Sequence, residues 1–274
     1  DRRFVSADIK IVTGLVEPHF MAGYSGGRKV IAPGVAHVET ITTFHSARYM
    51  EDPLATNCNL DGNPLHEDQL EIVEMVGGAL AMNVVIDEFR NLSFINFGEI
   101  ISSHLEAVAF IRKYAEVKVP RRFKTVLTSC AGHPLDLTYY QTVKGMVGPL
   151  DILEQGGDLI VVSNCGEGIG SEEFVAAQKR LVKMGPSGFL NAISQKQYAD
   201  IDEWQTEMQL KPMKVGSIYL YSEGLSDKDW LVTGVNKVDN LQKCIEQSFV
   251  RHKQNKIAVI PEGPYVIPFF SNDG

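Results

Sequence analysis

Cysteine is scarce and scattered. Cys58, Cys130, Cys165 and Cys244 form no Cys-x-x-Cys pair, which argues against a disulfide scaffold or a zinc ribbon and suits a reduced, cytoplasmic setting. No apolar run approaches the roughly 20 residues of a membrane span, and no signal-peptide pattern stands out. Positive charge is in deficit: 26 Lys and Arg against 34 Asp and Glu, a net charge of -8. That disfavours nucleic acid and anionic membranes as partners. Internal repeats and low-complexity segments are missing too. What the chain does have is an ordinary share of hydrophobic residues, 44% of 274, enough for a sizeable core and two domains.

One stretch carries most of the chemistry. A strand over 9–15, rich in Ile, Val and Thr, stops at Pro18. There follow His19-Phe20-Met21-Ala22-Gly23-Tyr24-Ser25-Gly26-Gly27-Arg28-Lys29 and, further on, Phe44-His45. A strand that delivers a His, a glycine pair and then Arg-Lys is how α/β proteins present chemistry on a loop. Gly26 and Gly27 let the backbone approach a ligand closely. His19 and His45 suit either metal binding or proton transfer near neutral pH. No Cys or His lies three or four residues from His45 to complete a chelate, so other metal donors must come from distant chain or from a cofactor.

This order and spacing, with Pro33-Gly34 between Lys29 and His45, resembles the nickel-pincer-nucleotide-dependent 2-hydroxy-acid racemase family, the lactate racemase-like proteins. The resemblance implies that Lys29 tethers the cofactor through a thioamide. It implies that Tyr24, Gly26 and Gly27 lie against the cofactor and that His45 is the protein ligand to nickel. His19 would be one of two histidines that take and return the hydroxyl proton of a 2-hydroxy acid.

A second stretch, Asp136-Leu137-Thr138-Tyr139-Tyr140-Gln141-Thr142-Val143-Lys144, reads as a helix capped by Asp136 or Thr138. Gln141 and Lys144 share a face, and an amide beside an ammonium suits a hydroxyl and a carboxylate. It resembles the family's Pro-Leu-Asp-x-x-x-Tyr-Gln-x-x-Lys motif, which implies substrate contacts for Tyr140, Gln141 and Lys144. Thr138 and His133 depart from the commoner residues there, which puts the substrate's side chain in question. Trp204 aligns with a tryptophan that the family sets against its substrate pocket. Residues 166–171, Gly-Glu-Gly-Ile-Gly-Ser, are not G-x-G-x-x-G, and Ser171-Glu172-Glu173 reads mainly as a cap and acidic first turn.

Along the chain, helices are predicted over 34–50, 65–79, 101–113, 171–184 and 240–254, and strands over 80–87, 89–97, 123–128, 159–163, 215–221, 231–234 and 257–260. This alternation points to two α/β domains with mostly parallel sheets covered by helices. The expected division is 1–118, the C-terminal part of a cofactor-binding catalytic domain, and 119–274, a C-terminal α/β domain, with the site in the cleft between them. The implied reaction is racemisation or epimerisation of a small, lactate-like 2-hydroxy acid, with the protein supplying orientation and proton transfer. Oligomerisation is left open. The resembled family carries a segment ahead of this point, holding an Asp-Asp-x-Thr-Arg-Pro motif and the second histidine. The chain opens instead on Asp1-Arg2-Arg3-Phe4, so the expectation is a fragment without turnover or bound cofactor. The alternatives are an NAD-type dehydrogenase using 166–171, a non-catalytic anion-binding module, and a zinc hydrolase using His37 and His45.

Overall fold

The computed structural model describes residues 1–272. The chain forms two compact units, Asp1–Glu116 and a second that begins at Val117. Among the described residues, no helix is long and apolar enough to cross a membrane.

The first unit opens with a short helix, α1 (Arg2–Ser6), capped by the Asp1 carboxylate. The strand β1 (Ile11–Leu15) leads into a small hairpin, β2 (Pro18–His19) and β3 (Gly23–Tyr24), and then a one-turn helix, α2 (Arg28–Ile31). The single helix predicted over 34–50 is two short ones, α3 (Val38–Phe44) and α4 (Ala47–Met50). The ladder stops at His45, and Ser46 is extended (φ -72, ψ 154). The hydroxyl of Thr43 donates to the carbonyl of Glu39 at 2.6 Å, a local bond that competes with a continuing helix. α5 (Pro64–Met75) starts on an Asn63 cap with proline in its first turn, as the missing N–H of proline allows. β4 (Leu80–Ile86), β5 (Leu92–Glu99) and α6 (Ile100–Ala115) complete the unit. The sheet order is β1-β4-β5, β4 running parallel to β1 and antiparallel to β5. One face of this sheet is packed: Val12 and Ala81 meet Ile31, Val73 and Ile100.

In the second unit, β6 (Glu116–Val119) pairs with the last strand, β12 (Ile267–Phe270). Between them lie β7 (Phe123–Ser129), α7 (Tyr139–Val147), β8 (Leu153–Val162), α8 (Glu172–Ser194), α9 (Glu203–Val215), β9 (Ser217–Tyr221), α10 (Asp227–Thr233), β10 (Asn236–Lys237), α11 (Leu241–His252) and β11 (Ala258–Ile260). Five strands make a wholly parallel sheet in the order β10-β9-β8-β7-β11. The helix predicted to end at 184 does end there, at a non-helical Gly185 (φ 71, ψ 167) just before Pro186, and a second helix, not predicted, follows directly to Ser194. The strand predicted over 231–234 is instead the end of α10, which Ser226 and Asp229 start with reciprocal caps.

α9 had no counterpart in the sequence reading. Its composition is polar, yet Glu203, Gln205, Thr206, Glu207 and Gln209 are all buried. Partners explain it for Glu203, Gln205 and Gln209, while Oγ1 of Thr206 is buried without a hydrogen bond among the described residues. Glu203 pairs with Lys196 at 2.8 Å and with Arg180. Gln205 donates to the carbonyl of Tyr140 at 2.7 Å. Gln209 accepts from the hydroxyl of Tyr139 and the amide of Gln178, each at 2.9 Å, and donates to the carbonyl of Thr233 at 2.7 Å. Buried polar groups persist where they are satisfied in this way, and the helix therefore shows no apolar stripe.

Candidate active site

The hairpin pairs Pro18 with Tyr24 and His19 with Gly23, so the chain doubles back directly after the first histidine. The His19 ring is fixed from several sides. It stacks on Phe20 at 4.7 Å, and its Nδ1 accepts from the N–H of Ala22 at 3.2 Å and of Met21 at 3.4 Å. An Nδ1 that accepts places the proton of the neutral ring on Nε2. That Nε2 lies 3.1 Å from Nζ of Lys29.

Lys29 reaches this position because the backbone turns sharply at Gly26 (φ 75) and Gly27 (φ 48). The turn is also tightly packed: a Cβ at Gly27 would lie 2.5 Å from the ring of His104. Gly14 in β1 matters for a related reason, since a Cβ there would meet the Cα of Gly26 at 3.0 Å.

Arg28, between the glycines and Lys29, is 1% exposed. Its guanidinium donates to the carbonyl of Ala22 at 2.7 Å and of Tyr24 at 2.9 Å, and so ties the hairpin to α2. Burial lowers its pKa to about 9. Two neighbouring histidines stay neutral. Burial, with the Arg28 charge next, holds His104 at about 3 and His66 at about 4. Nε2 of His104 lies 2.8 Å from the Ser25 carbonyl and 3.2 Å from Nη1 of Arg28. A single ring nitrogen cannot both donate to the first and accept from the second. The shorter contact assigns it the proton, and Arg28 is then a close neighbour and not its donor. Arg28 was within the sequence motif without a role, because nothing in a run of Gly-Gly-Arg-Lys marks the arginine as the inward member.

Tyr24 is fully buried, and its hydroxyl donates to Glu116. Burial raises its pKa, and the Glu116 bond adds to the shift. His45 caps the end of α3. Its Nδ1 lies 2.7 Å from the carbonyl of Ile41, which orients the ring and gives Nδ1 the proton. This is the arrangement of a histidine that offers Nε2 to a metal. Among the described residues, no group of three or more His, Cys, Asp and Glu could hold a metal ion. A metal here fits only if most of its donors come with a bound cofactor, and the same observation removes the ligand set a zinc hydrolase would need.

In the second unit, Thr138 caps α7 and accepts from the N–H of Gln141 at 3.3 Å. Oε1 of Gln141 is buried without a hydrogen-bond partner. Lys144 lies one turn on, half-buried. Tyr140 and Trp204 come together: the indole N–H donates to the Tyr140 hydroxyl at 3.0 Å, and burial pushes the Tyr140 pKa up to about 12. The glycine loop after β8 supports this helix. The carbonyls of Gly168 and Ile169 accept from the N–H groups of Tyr139 and Tyr140 at 2.9 and 3.0 Å. The N–H groups of Glu167 and Gly168 go to the carbonyls of Leu137 and Cys165. A dinucleotide loop aims such N–H groups at phosphate, and here they are spent on the protein.

Residues 1–57 match the model of the lactate racemase N-terminal domain, and residues 120–268 that of the lactate racemase C-terminal domain. The chain is 30% identical over 268 residues to a lactate racemase of Thermoanaerobacterium thermosaccharolyticum. It is 31% identical over 267 residues to one of Lactiplantibacillus plantarum. These matches take in 96% and 95% of the chain, which spans 62% of the length of each relative. The fold is similar to that of the lactate racemase apoprotein from the Thermoanaerobacterium species, with a TM-score of 0.91 and 28% identity over 98% of this chain and 64% of that one. A Thermotoga maritima protein shares the fold at a TM-score of 0.67 and 15% identity, over 98% of this chain and 68% of its own.

Proposed function

The chain belongs to the lactate racemase family, and from that membership we propose that it acts in the racemisation or epimerisation of a small, lactate-like 2-hydroxy acid. The observation that carries the reading is the pairing of His19 Nε2 with Lys29 Nζ at 3.1 Å on a glycine bend. An imidazole that can exchange a proton is there held against an amine that can be acylated.

The cofactor in this proposal is the nickel-pincer nucleotide, which would supply a reversible hydride acceptor for the substrate's carbinol carbon. The chain's part is to hold that group and to handle the proton. Lys29 would carry it as an amide-type link from Nζ. Gly26 and Gly27, without side chains, would let the backbone lie close against it, and Tyr24 would brace the bend from within. His45, with Nδ1 committed to Ile41, would give Nε2 to the metal. His19 would exchange the substrate's hydroxyl proton through Nε2, the ring nitrogen that faces Lys29 while Nδ1 is engaged by the backbone.

The second unit's motif supplies the grip on substrate in this reading. The Lys144 ammonium would meet the carboxylate, and the unpaired Oε1 of Gln141 would accept from a hydroxyl. Tyr140 and Trp204, already bonded to each other, would form a rigid wall of the pocket.

Co-expression with nickel and the enzymes that make the cofactor tests the assignment of Lys29 and His45. The expected result is an intact-mass adduct on the chain, with nickel present by elemental analysis. Lys29→Ala should lose both, and His45→Ala should lose the metal while keeping the adduct. An adduct that survives Lys29→Ala overturns the tether.

A further inference from the structure

The glycine loop over 166–171, which reads in the sequence mainly as a cap, encloses Tyr140. The N–H of Tyr140 goes to the carbonyl of Ile169 at 3.0 Å. A Cβ at Gly170 would lie 3.0 Å from Cβ of Tyr140, so the loop comes as close as a residue without a side chain allows. From the other side, Gln205 donates to the Tyr140 carbonyl at 2.7 Å, and the ring of Phe174 meets that of Tyr140 edge-on at 5.1 Å. The loop, α8 and α9 together fix the backbone and the ring.

The hydroxyl is fixed as well. A phenol oxygen has one proton to give and lone pairs to accept with. Here it accepts from the indole N–H of Trp204 at 3.0 Å, so its own proton must go elsewhere. Asp202 stands beside it. Burial comes first in pushing the Tyr140 pKa up to about 12, and the Asp202 charge and its hydrogen bond with the hydroxyl add to the shift. Asp202 is held in turn by Ser171, whose Oγ donates to Oδ2 at 2.6 Å and accepts from the N–H of Phe174 at 3.1 Å. The backbone of Asp202 is left-handed (φ 60), and its carboxylate caps none of the N–H groups in the first turn of α9. An aspartate at the head of a helix ordinarily spends its carboxylate on those groups. This one is turned to two hydroxyls instead.

On the reading given above for Tyr140 and Trp204, we propose that Ser171, Asp202, Tyr140 and Trp204 form one directed hydrogen-bond chain, and that Ser171 and Asp202 are positioning residues for the substrate wall. Ser171 and Tyr140 each give a proton to the Asp202 carboxylate, and Trp204 gives its N–H to Tyr140. Tyr140 then has no proton left for a 2-hydroxy acid. It meets the substrate with its ring, and the polar contacts fall to Gln141 and Lys144 on the same helix.

Trp204 reports on the chain of bonds without any need for turnover. Labelled with ¹⁵N, the protein gives two indole N–H peaks, one from each tryptophan, and Trp230→Phe identifies the peak of Trp204. Asp202→Asn is the main variant, because asparagine keeps the shape and tolerates a left-handed backbone. It should move the Trp204 peak and speed its exchange with solvent, with circular dichroism unchanged. Ser171→Ala leaves residue 202 itself intact and should move the peak in the same direction. Glu246→Gln, an exposed change on α11, should do neither. In the cofactor-loaded protein, Asp202→Asn should raise KM for lactate about tenfold with kcat within about twofold. Asp202→Asn/Tyr140→Phe should be no worse than Tyr140→Phe alone, because both changes act through one hydroxyl. A Trp204 peak that ignores Asp202→Asn, or effects on KM that multiply in the double variant, overturns the proposal. A parent without lactate turnover whose indole responds as expected counts against the racemase reading and supports the bonded chain.

Discussion

Nε2 of His19 stands 3.1 Å from Nζ of Lys29, across a bend made of two left-handed glycines. The contact depends on the far side of the ring. Nδ1 accepts two backbone N–H groups at 3.2 and 3.4 Å, the long end of the hydrogen-bond range. One imidazole thus links the hairpin's backbone to the amine, and its two nitrogens have separable duties.

The separation can be measured. In His19→Asn the side-chain carbonyl can take over the accepting role of Nδ1 but cannot exchange a proton. Under the proposed function, racemisation of a 2-hydroxy acid by the cofactor-loaded protein should fall by about 10²–10⁴-fold, while the urea midpoint corresponds to a stability change within about 0.5 kcal/mol. His19→Leu should lose both, with a stability cost of about 1–3 kcal/mol from the stranded N–H groups. Equal racemisation rates for parent and His19→Asn would remove His19 from the chemistry.

The bend should tolerate no side chain. At Gly77, φ is +79 and no atom lies within 4 Å of an added Cβ, so Gly77→Ala carries only the left-handed backbone cost, about 1–2 kcal/mol. At Gly27 the same cost is joined by a contact of 2.5 Å with the His104 ring. Gly27→Ala should therefore cost about 2–5 kcal/mol. Urea denaturation of the two variants side by side reads the difference, and equal midpoints would contradict the packing described.

Acid should weaken the first unit before its carboxylates protonate. His104 and His66 have folded pKa values of about 3 and 4, below an unfolded value of about 6.5. The unfolded chain binds the extra protons, so this stabilisation is complete above pH 6.5 and is lost as pH falls toward 4 and 3. Between pH 7 and pH 5 the pair should account for on the order of 2–4 kcal/mol. Comparing His104→Gln with the parent at both pH values checks it, since the variant's loss on acidification should be smaller by about half.

Trp204→Phe keeps the aromatic body but takes away the N–H that reaches the Tyr140 hydroxyl at 3.0 Å. The hydroxyl lies in a buried setting that already raises its pKa, so the change should cost about 1–3 kcal/mol. Pairing it with Tyr140→Phe in a double-mutant cycle should give a coupling of about 0.5–1.5 kcal/mol. A coupling of zero would mean that the two side chains act independently.

How much could be read in advance varied by kind of residue. The α/β alternation was visible because several strands are rich in β-branched residues and several helices are followed by glycine, as at Gly77, Gly148 and Gly234. The His19 and Lys29 pair was legible because glycine at 26 and 27 demands a turn, and a turn brings flanking residues together. Arg28 was not, since sequence does not reveal which of two adjacent cations faces inward. Nor was the division at His45, which depends on Thr43 bonding back to Glu39. α9 escaped notice because a helix enclosed by amide and carboxylate partners looks, letter by letter, like a solvated one.

That enclosed helix bears on how variation among relatives of this chain should be interpreted. Glu203 and Gln209 each answer to two or more named groups on other elements, and Gln205 to the carbonyl of Tyr140. Exchange of any one for a hydrocarbon would strand its partners out of reach of water. These positions should resist change as stubbornly as any that handle substrate, and for reasons of architecture alone. Ranking residues of this unit by invariance would therefore pick out supporting amides alongside residues that touch substrate.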